Sequence, residues 1–360
     1  MDKIATDGIT VAFNPQGGII DDLLIEPAGG IPLRPLHKAP WVRDGEAVPE
    51  HVAPVERRLA GDFFCAPFGV ATAEVAIHGW AANGDWVNAG TETAEGGTVT
   101  ATYRLRQPIE GARLTKRISL HPGHPVVYQE HIFEGGSGRL PVAHHAMLHV
   151  PGGAQLSFSP KIGGGTPATP LETDPAKGRS MLAYPQRFEN LSSVRRADGQ
   201  AVDASFYPFD RSHEDLIMMS ETPSAKLGWS AALAAKDGFL FFAVKDAAML
   251  PQTILWMSNG GRDYAPWNGR HRAVIGIEEG AADLGINLAK PGKPPDPPSG
   301  LTLAPGRITS IRYAFGAIAV PMGWARVADI AVENGKVTLT DEGGDSRTLP
   351  FRGSHFLDLV

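Results

Sequence analysis

Strict alternation of apolar and polar residues is the feature that most constrains the fold of this chain. In 98–106 every second residue is apolar, while threonine and arginine fill the positions between them. The segments 113–120 and 307–315 repeat the pattern, with Lys116 as an exception in the first. Successive side chains of a strand point to opposite faces, so this alternation places the apolar residues on one face. The sequence therefore predicts strands that each cover a core with a single face.

Strand patterns of this kind recur along most of the chain. Short stretches of Gly, Pro, Asn and Asp separate them, as expected of turns between strands. The 42 glycines and 30 prolines also disfavour long helices. We predict an all-β protein, a large antiparallel sandwich, and we find no fixed-period repeat that would indicate a propeller. The further predicted strands are 8–13, 19–26, 72–79, 125–133, 143–150, 154–159, 225–233, 238–245, 252–258 and 273–279.

Two segments interrupt this series of strands. Residues 161–215 mix glycine, proline and charged residues, and we predict long loops there with one short helix. Loops of that length in a compact protein often bind ligands. The segment 290–300 is rich in proline and is predicted to be an extended surface connector.

The predicted domain organisation is one sandwich domain and a small extension. The sandwich domain is expected to occupy residues 1–320, and the extension residues 321–360. Within the extension, 327–332 and 336–340 are predicted to form a β-hairpin across Asn334-Gly335, because Asn-Gly favours the tight turn that joins two strands.

Charge and composition disfavour several classes of partner. The chain carries 33 basic and 39 acidic residues, a net charge of −6, with no basic block that could hold a phosphate backbone. No apolar run approaches the length of a membrane span, and the N-terminus lacks the features of a signal peptide. Cys65 is the only cysteine and cannot form an internal disulfide. We expect a soluble cytoplasmic protein that binds neither nucleic acid nor membrane; its oligomeric state is not indicated.

Half of the twelve histidines fall within a single short stretch. One interpretation is that they are hydrogen-bonded strand residues without a catalytic role. A second is that one of them is a general acid or base, since the pKa of histidine lies near neutrality. A third is a metal site, which we disfavour because no spacing with a nearby carboxylate matches a known ligand set. The six are His121, His124, His131, His144, His145 and His149.

A histidine and a tryptophan, His78 and Trp80, are separated by a single glycine in the sequence. If 72–79 is a strand, alternation places His78 and Trp80 on one face. A histidine beside an aromatic ring suits a sugar site, because such rings stack on the apolar faces of pyranoses. The alternative is a core tryptophan beside a hydrogen-bonded histidine.

The segment 252–280 combines aromatic and charged residues between two predicted strands. Trp256 lies on the first strand and Arg262 in the connection, while the second strand ends in Glu278-Glu279. Adjacent strand residues face opposite ways, so one carboxylate should point inward or into a cleft. A buried carboxylate is costly unless it is paired or functional. The alternative is that both glutamates end the strand in solvent.

Taken in order, these motifs resemble the galactose mutarotase (aldose 1-epimerase) superfamily over about residues 8–316. The strand Ile277-Glu278 is similar to the pair that supplies that family's catalytic carboxylate, and 141–148 stands where the family has a histidine-bearing strand. The other matching motifs are Gly17-Gly18-Ile19-Ile20, Pro67-Phe68-Gly69, His78-Gly79-Trp80, Ile254–Asn259 and Leu303-Ala304-Pro305-Gly306.

The resemblance implies a large antiparallel β-supersandwich and an enzyme that interconverts sugar anomers by acid–base catalysis without a cofactor or metal. Its substrate would be a small-molecule sugar or sugar derivative. It implies Glu278 as the base, His145 as the acid on the ring oxygen and His78 as a second imidazole; His144 or His149 could replace His145. The residues implied in substrate binding are Arg58, Trp80, Asp210, Trp256 and Arg262.

Three other functions stay open at this point. The chain could bind a sugar without catalysis, since a fold does not fix a function. It could use the histidines of 121–149 in a metal-dependent hydrolase or isomerase. It could also be a carbohydrate lyase or glycosidase, for which we would expect a longer cleft with more aromatic residues. A sugar phosphate as substrate would require an arginine cluster, which Arg262, Arg270 and Arg272 could supply.

Overall fold

The computed structural model describes residues 1–286 and 299–356. The predicted connector at 290–300 lies outside the described residues, except for its last two positions. Strands dominate the rest: β1 Asp2–Thr6, β2 Ile9–Asn14, β3 Ile19–Ile25, β4 Phe64–Cys65, β5 Trp86–Thr93, β6 Val99–Leu105, β7 Ala112–Leu120, β8 Val126–Gly135, β9 Gly138–Leu140, β10 Val142–His144, β11 Ala146–His149, β12 Ala154–Phe158, β13 Lys161–Thr166, β14 Gln186–Phe188, β15 Val194–Arg195, β16 Ala201–Val202, β17 Phe206–Tyr207, β18 His213–Glu221, β19 Leu227–Ala234, β20 Phe239–Asp246, β21 Gln252–Asn259, β22 Val274–Ala281, β23 Leu301–Leu303, β24 Ile308–Ala319, β25 Val327–Glu333, β26 Lys336–Asp341 and β27 Ser346–Pro350.

The helices in the described ranges are short. The α-helices are α1 Pro40–Arg43, α2 Pro54–Arg57 and α3 Gly79–Asn83, and single 3₁₀ turns occur at Leu191–Ser193, Ala235–Asp237 and Gly353–Phe356. None of the helices in the ranges that the structure describes is long and apolar enough to cross a membrane.

Two large sheets form the body of the molecule. The first has nine strands in the order β17-β12-β19-β20-β24-β8-β7-β6-β5. The second has eight strands, in the order β14-β13-β18-β21-β22-β10-β4, with β11 also paired to β22. Neighbouring strands in both sheets are antiparallel. The prediction of an all-β antiparallel sandwich is therefore confirmed.

The main core contains apolar side chains from both sheets, which explains the alternation in the sequence. Phe241 and Phe315 of the nine-stranded sheet belong to the same buried cluster as Leu255 and Ile277 of the eight-stranded sheet. Lys116, the exception in the pattern of β7, is fully buried, and its Nζ donates a hydrogen bond to the Gly18 carbonyl at 2.9 Å. Its charge-bearing atom therefore has a partner inside the core, as a buried amine requires.

The eight-stranded sheet is buried on its outer face as well. A second apolar cluster lies there, combining Ile254 of β21 with Trp41 of α1, Val55 of α2 and Trp267 of the β21–β22 connection. All eight residues of β21 and all eight of β22 are consequently buried. This cover of short helices and loops creates the cavity described below.

The outer face of the nine-stranded sheet is covered by residues near the C-terminus. β25 and β26 pair across Asn334-Gly335, and β27 adds a third strand to the predicted hairpin. Ile330 and Val337 from this small sheet pack in one cluster with Trp229 and Phe242 of the large sheet. The 321–356 segment thus adds a third layer over that part of the sandwich.

The predicted strand at 72–79 is wrong. The chain there forms turns, and α3 begins at Gly79, so His78 and Trp80 do not share a strand face. His78 and Gly79 both have left-handed φ angles, 71° and 72°, which reverse the chain direction. Only glycine fits at residue 79, because a Cβ there would lie 1.9 Å from the Ala66 carbonyl oxygen.

Other strand predictions need smaller corrections. The predicted strand 143–150 is divided at His145 into β10 and β11. The predicted loops at 161–215 contain the short strands β13 to β17 and the start of β18. The alternation did not identify β1, β5 or β18, because β5 is almost wholly exposed and β18 is buried on both faces.

Candidate active site

A cavity of about 170 Å³ lies on the outer face of the eight-stranded sheet. Most of its wall is apolar, and five of its residues are polar or charged. The polar residues are Glu56, His78, His145, Arg262 and Glu278. The others are Val55, Leu59, Phe63, Phe68, Gly69, Ile77, Leu171, Leu216, Trp256, Trp267 and Leu284.

Glu278 reaches the cavity from β22, in the middle of the sheet. It is 2% exposed, and its Oε1 lies 3.0 Å from Nε2 of His145. The neighbouring Glu279 points the other way, where it meets Lys245. Burial raises the pKa of Glu278 well above its usual range, since a carboxylate loses its hydration there. The carboxyl group is therefore biased toward its neutral form.

His145 lies at the break between β10 and β11, which turns its side chain toward the cavity. Its backbone N–H donates to the Phe63 carbonyl at 2.9 Å and to Oδ1 of Asp62 at 3.1 Å. Its ring stacks on the ring of Phe63, with 4.4 Å between the centroids. Burial and the adjacent His78 lower the pKa of His145 well below its usual value. The ring is thus fixed in position, with Nε2 toward Glu278.

His78 provides a second imidazole beside the first. Its ring centroid is 5.4 Å from that of His145, in an edge-to-face arrangement. Burial, and then the charge of Arg262, lower the pKa of His78 to about 4. Its buried Nδ1 has no hydrogen-bond partner within the ranges that the structure describes. A neutral imidazole with a free nitrogen can bind a ligand hydroxyl.

Arg262 and two tryptophans form another part of the wall. The guanidinium carbon of Arg262 lies 4.3 Å from the ring centroid of Trp267 and 5.7 Å from that of Trp256. Its Nη2 lies 3.2 Å from Oε1 of Glu214, and its Nη1 lies 3.9 Å from Oε1 of Glu56. The Trp256 ring also meets His145 edge to face at 5.6 Å. Trp256 therefore lies between the arginine and the Glu278–His145 pair.

The structure brings together five of the eight residues named from the sequence: Glu278, His145, His78, Trp256 and Arg262. The other three are not among the residues that line the cavity. Asp210 pairs with Arg196, with 2.6 Å between Oδ2 and Nη1. Arg58 follows the last residue of α2, and Trp80 lies on α3, where it packs against the main core.

The other histidines of 121–149 are dispersed. His121 and His124 contact Tyr128, and His131 and His144 lie in the core against Phe64. His149 is exposed near His37. Of the three histidines considered for the acid, His145 is the one at the cavity. Across 1–286 and 299–356, no group of three or more His, Cys, Asp or Glu side chains could hold a metal ion.

The sequence interpretation missed Glu56 and Glu214. Glu56 lies on a four-residue helix too short to have a detectable period. Glu214 is fully buried at the start of β18, within a segment predicted as a loop. One sequence feature could have indicated Glu214: the polar triplet His213-Glu214-Asp215 stands directly before the apolar run Leu216–Met219.

Comparisons with known proteins give evidence at the level of structure. No protein-family profile matches the sequence, and no curated protein is significantly similar to it. A solved structure from Escherichia coli K12, provisionally assigned as an aldose 1-epimerase, matches with 12% identity and a TM-score of 0.56, over 88% of this chain and 98% of that one. A galactose mutarotase related enzyme from Lactobacillus acidophilus matches with 12% identity and a TM-score of 0.52, over 88% and 97%. The fold is that of the galactose mutarotases.

The mutarotase-like fold also occurs in larger proteins. A TPR-domain containing protein from Parabacteroides distasonis matches with 12% identity and a TM-score of 0.58, over 92% of this chain and 49% of that one. At such identities the likeness concerns the fold, while activity has to be argued from the cavity itself.

Proposed function

We propose that this protein is an aldose 1-epimerase-like enzyme that interconverts the anomers of a small sugar at the Glu278 cavity. The observation that carries the proposal is the direct Glu278–His145 contact of 3.0 Å in an otherwise largely apolar cavity. The mutarotase-like fold supports it, because two of the solved structures with this fold are described as epimerase or mutarotase-related proteins.

Mutarotation needs an acid and a base that act on two oxygens attached to one carbon. The base takes the proton of the C1 hydroxyl, the bond between C1 and the ring oxygen breaks, and the ring oxygen takes its electron pair and a proton from the acid. Rotation about the C1–C2 bond and the reverse steps then give the other anomer. Because the two oxygens share a carbon, an adjacent acid and base can reach both. Glu278 and His145 are adjacent in this way.

The pair would carry one transferable proton. Burial favours the uncharged arrangement, in which Glu278 is a carboxyl group and His145 a neutral imidazole. Moving that proton across the 3.0 Å contact gives carboxylate and imidazolium, with the same total number of protons. In that form Glu278 is the base for the C1 hydroxyl and His145 the acid for the ring oxygen. After ring closure by the reverse steps, Glu278 and His145 again hold one proton between them.

The remaining polar groups would hold the sugar. The free Nδ1 of His78 is available to a hydroxyl near the reacting carbon. Trp256 and Trp267 line the cavity and would supply aromatic contacts to an apolar sugar face. The cavity volume of about 170 Å³ suits one small molecule and not an oligosaccharide, which argues against an extended cleft. The corresponding substrate is a monosaccharide.

The test is anomer exchange measured by NMR on the wild-type protein, with a panel of aldoses and aldose phosphates. We expect exchange well above the spontaneous rate for at least one of them. Exchange at the spontaneous rate for every sugar, in protein that binds one of them, would reject the enzyme and leave a sugar-binding protein on the same fold.

The rate should show no ordinary histidine titration. Activity requires that the Glu278–His145 pair hold one proton. Acid adds a second proton to His145, but burial lowers its pKa, so this loss begins well below the ordinary value of about 6.5. Alkali removes the single proton, but burial raises the pKa of Glu278 and delays that loss. We expect an exchange rate, corrected for the spontaneous reaction, that does not fall as the pH drops through 6.5; a loss of rate on acidification through 6.5 would contradict the shared proton.

A further inference from the structure

Glu214 is a buried carboxylate that the proposed reaction does not use, yet it contacts two residues of the cavity wall. It is fully buried. Its Oε1 accepts a hydrogen bond from Trp256 Nε1 at 2.5 Å and lies 3.2 Å from Nη2 of Arg262. Its Oε2 accepts a hydrogen bond from the Ser258 hydroxyl at 2.9 Å. Burial raises the pKa of Glu214, and the charge of Arg262 and the hydrogen bonds from Trp256 and Ser258 oppose that rise. An adjacent cation and donors on both oxygens stabilise the charged form of a carboxylate.

A chain of polar contacts behind Glu214 supports its negative charge. The Ser258 Oγ lies 2.7 Å from Nδ1 of His271, and the His271 Nε2 lies 2.9 Å from Nε2 of His37. One assignment of protons satisfies all of these atoms: His37 donates to His271, His271 donates to Ser258, and Ser258 donates to Glu214. Every donor in this assignment is directed toward Glu214. In this assignment Glu214 accepts on both oxygens, which is the hydrogen-bonding state of a charged carboxylate.

The charge of Arg262 is cancelled from two sides. Besides Glu214, the carboxylate of Glu56 lies 3.9 Å from the arginine and lines the same cavity. The next arginine along the connection cannot compensate, because Arg270 is paired with both oxygens of Glu46 at 2.5 Å and is not among the lining residues. Among the described residues that line the cavity, none carries a spare positive charge for an anionic ligand. An anion buried there would lack a counter-charge, which is costly.

We propose that Glu214 is a positioning residue that determines specificity: it fixes Arg262 and Trp256 in the wall and cancels the arginine's charge, so that the cavity accepts an uncharged sugar and rejects phosphorylated or carboxylated ones. This inference rests on the proposed function for the identity of the ligand as a sugar. It disagrees with the hypothesis that Arg262, Arg270 and Arg272 together bind a sugar phosphate. Arg270 is paired with Glu46, and Arg272 donates to the Gly269 carbonyl.

The first test uses the wild-type protein and equilibrium binding, so that it does not depend on catalysis. Trp256 and Trp267 line the cavity, and their fluorescence should report sugar binding. The probes are galactose and glucose, their 6-phosphates and the corresponding uronic acids. We expect the neutral sugars to bind at least about tenfold more tightly than their anionic counterparts, as an uncompensated charge requires. Equal or tighter binding of an anionic sugar would overturn the inference.

The second test is Glu214→Gln, which keeps the size of the side chain and one acceptor oxygen, replaces the other oxygen with a donor, and removes the negative charge. We expect the preference for neutral over anionic sugar in equilibrium binding to fall about tenfold or more. A role in folding alone would lower stability without changing this ratio. The matched control is Glu46→Gln, which frees Arg270 outside the cavity and should leave the ratio unchanged.

The two sets of measurements separate the inference from the proposed function. Neutral sugars that bind selectively without anomer exchange would reject the enzyme and support the role of Glu214. Rapid exchange of an anionic sugar in preference to the neutral one would support the enzyme and reject the role of Glu214. If Glu214→Gln does not fold, the wild-type binding ratio still decides the inference.

Discussion

Replacing Glu278 with glutamine should lower the rate of anomer exchange by about 10²–10⁴, the usual contribution of a positioned acid or base. Glutamine keeps the size of the side chain and can still contact Nε2 of His145, which lies 3.0 Å from the carboxylate in the wild type. It cannot accept and return a proton. The measurement is exchange by NMR at saturating sugar, so that kcat is separated from KM.

The fold should survive this substitution, because burial already biases the Glu278 carboxyl toward its neutral form. An unchanged unfolding midpoint is therefore part of the expected result. The control is Glu333→Gln, an identical change at an exposed position of β25 far from the cavity in the fold. Full activity of Glu278→Gln would remove this carboxyl from the reaction and leave binding as the function of the cavity.

Replacing Lys245 with methionine should destabilise the protein by about 3–5 kcal/mol, since it removes the cation paired with the buried Glu279, while Glu221 keeps its pair with Lys161. The Lys245 Nζ pairs with Glu279 and lies 3.2 Å from Oε1 of Glu221. It also donates to the Gln252 carbonyl at 2.8 Å and to Thr253 Oγ1 at 2.9 Å. The side chains of Lys245 and Glu279 are each only 1% exposed. Urea unfolding followed by tryptophan fluorescence would measure the loss.

Two comparisons make this prediction specific to the charge. The double variant Lys245→Met/Glu279→Gln removes one charge of each sign and should recover part of the lost stability. Arg113→Met breaks a surface pair, Arg113–Glu134 at 3.5 Å with the arginine 80% exposed, and should cost no more than about 1 kcal/mol. A Lys245→Met loss as small as that of Arg113→Met would show that the core does not depend on this ion pair.

The sequence was informative where each strand has one buried and one exposed face. β7 alternates buried residues with exposed or half-buried ones along its whole length, and the pattern predicts it to within one residue. β18 is buried at all nine positions, so its sequence shows no alternation, and its charged start resembles a loop. The charge of Glu214 is stabilised by Arg262, Trp256 and Ser258, which are distant in sequence and meet only in the folded chain.

The site could be predicted only in part for the same reason. The opposite facing of Glu278 and Glu279 follows from strand geometry and required no tertiary information. The orientation of His78 depends on two consecutive left-handed residues, which converted an expected strand into a turn before α3. Arg58 and Asp210 were named from a resemblance in linear order, which does not specify which side chains face a cavity formed by separate loops. Trp80 was also placed by alternation in a strand that the structure replaces with turns and α3.

The two adjacent carboxylates make β22 unusually sensitive to its alignment with β21. In the present alignment Ile254 faces Glu278 and Thr253 faces Glu279. A shift of one residue would exchange the two faces, presenting Glu279 to His145 and moving Glu278 next to Lys245. Both carboxylate positions would still be filled by a glutamate, but every apolar neighbour on the strand would move to the opposite face of the sheet. A misaligned chain would therefore lose its sandwich core together with its cavity, so quality control in the cell would encounter an unfolded protein and not a folded, inactive one.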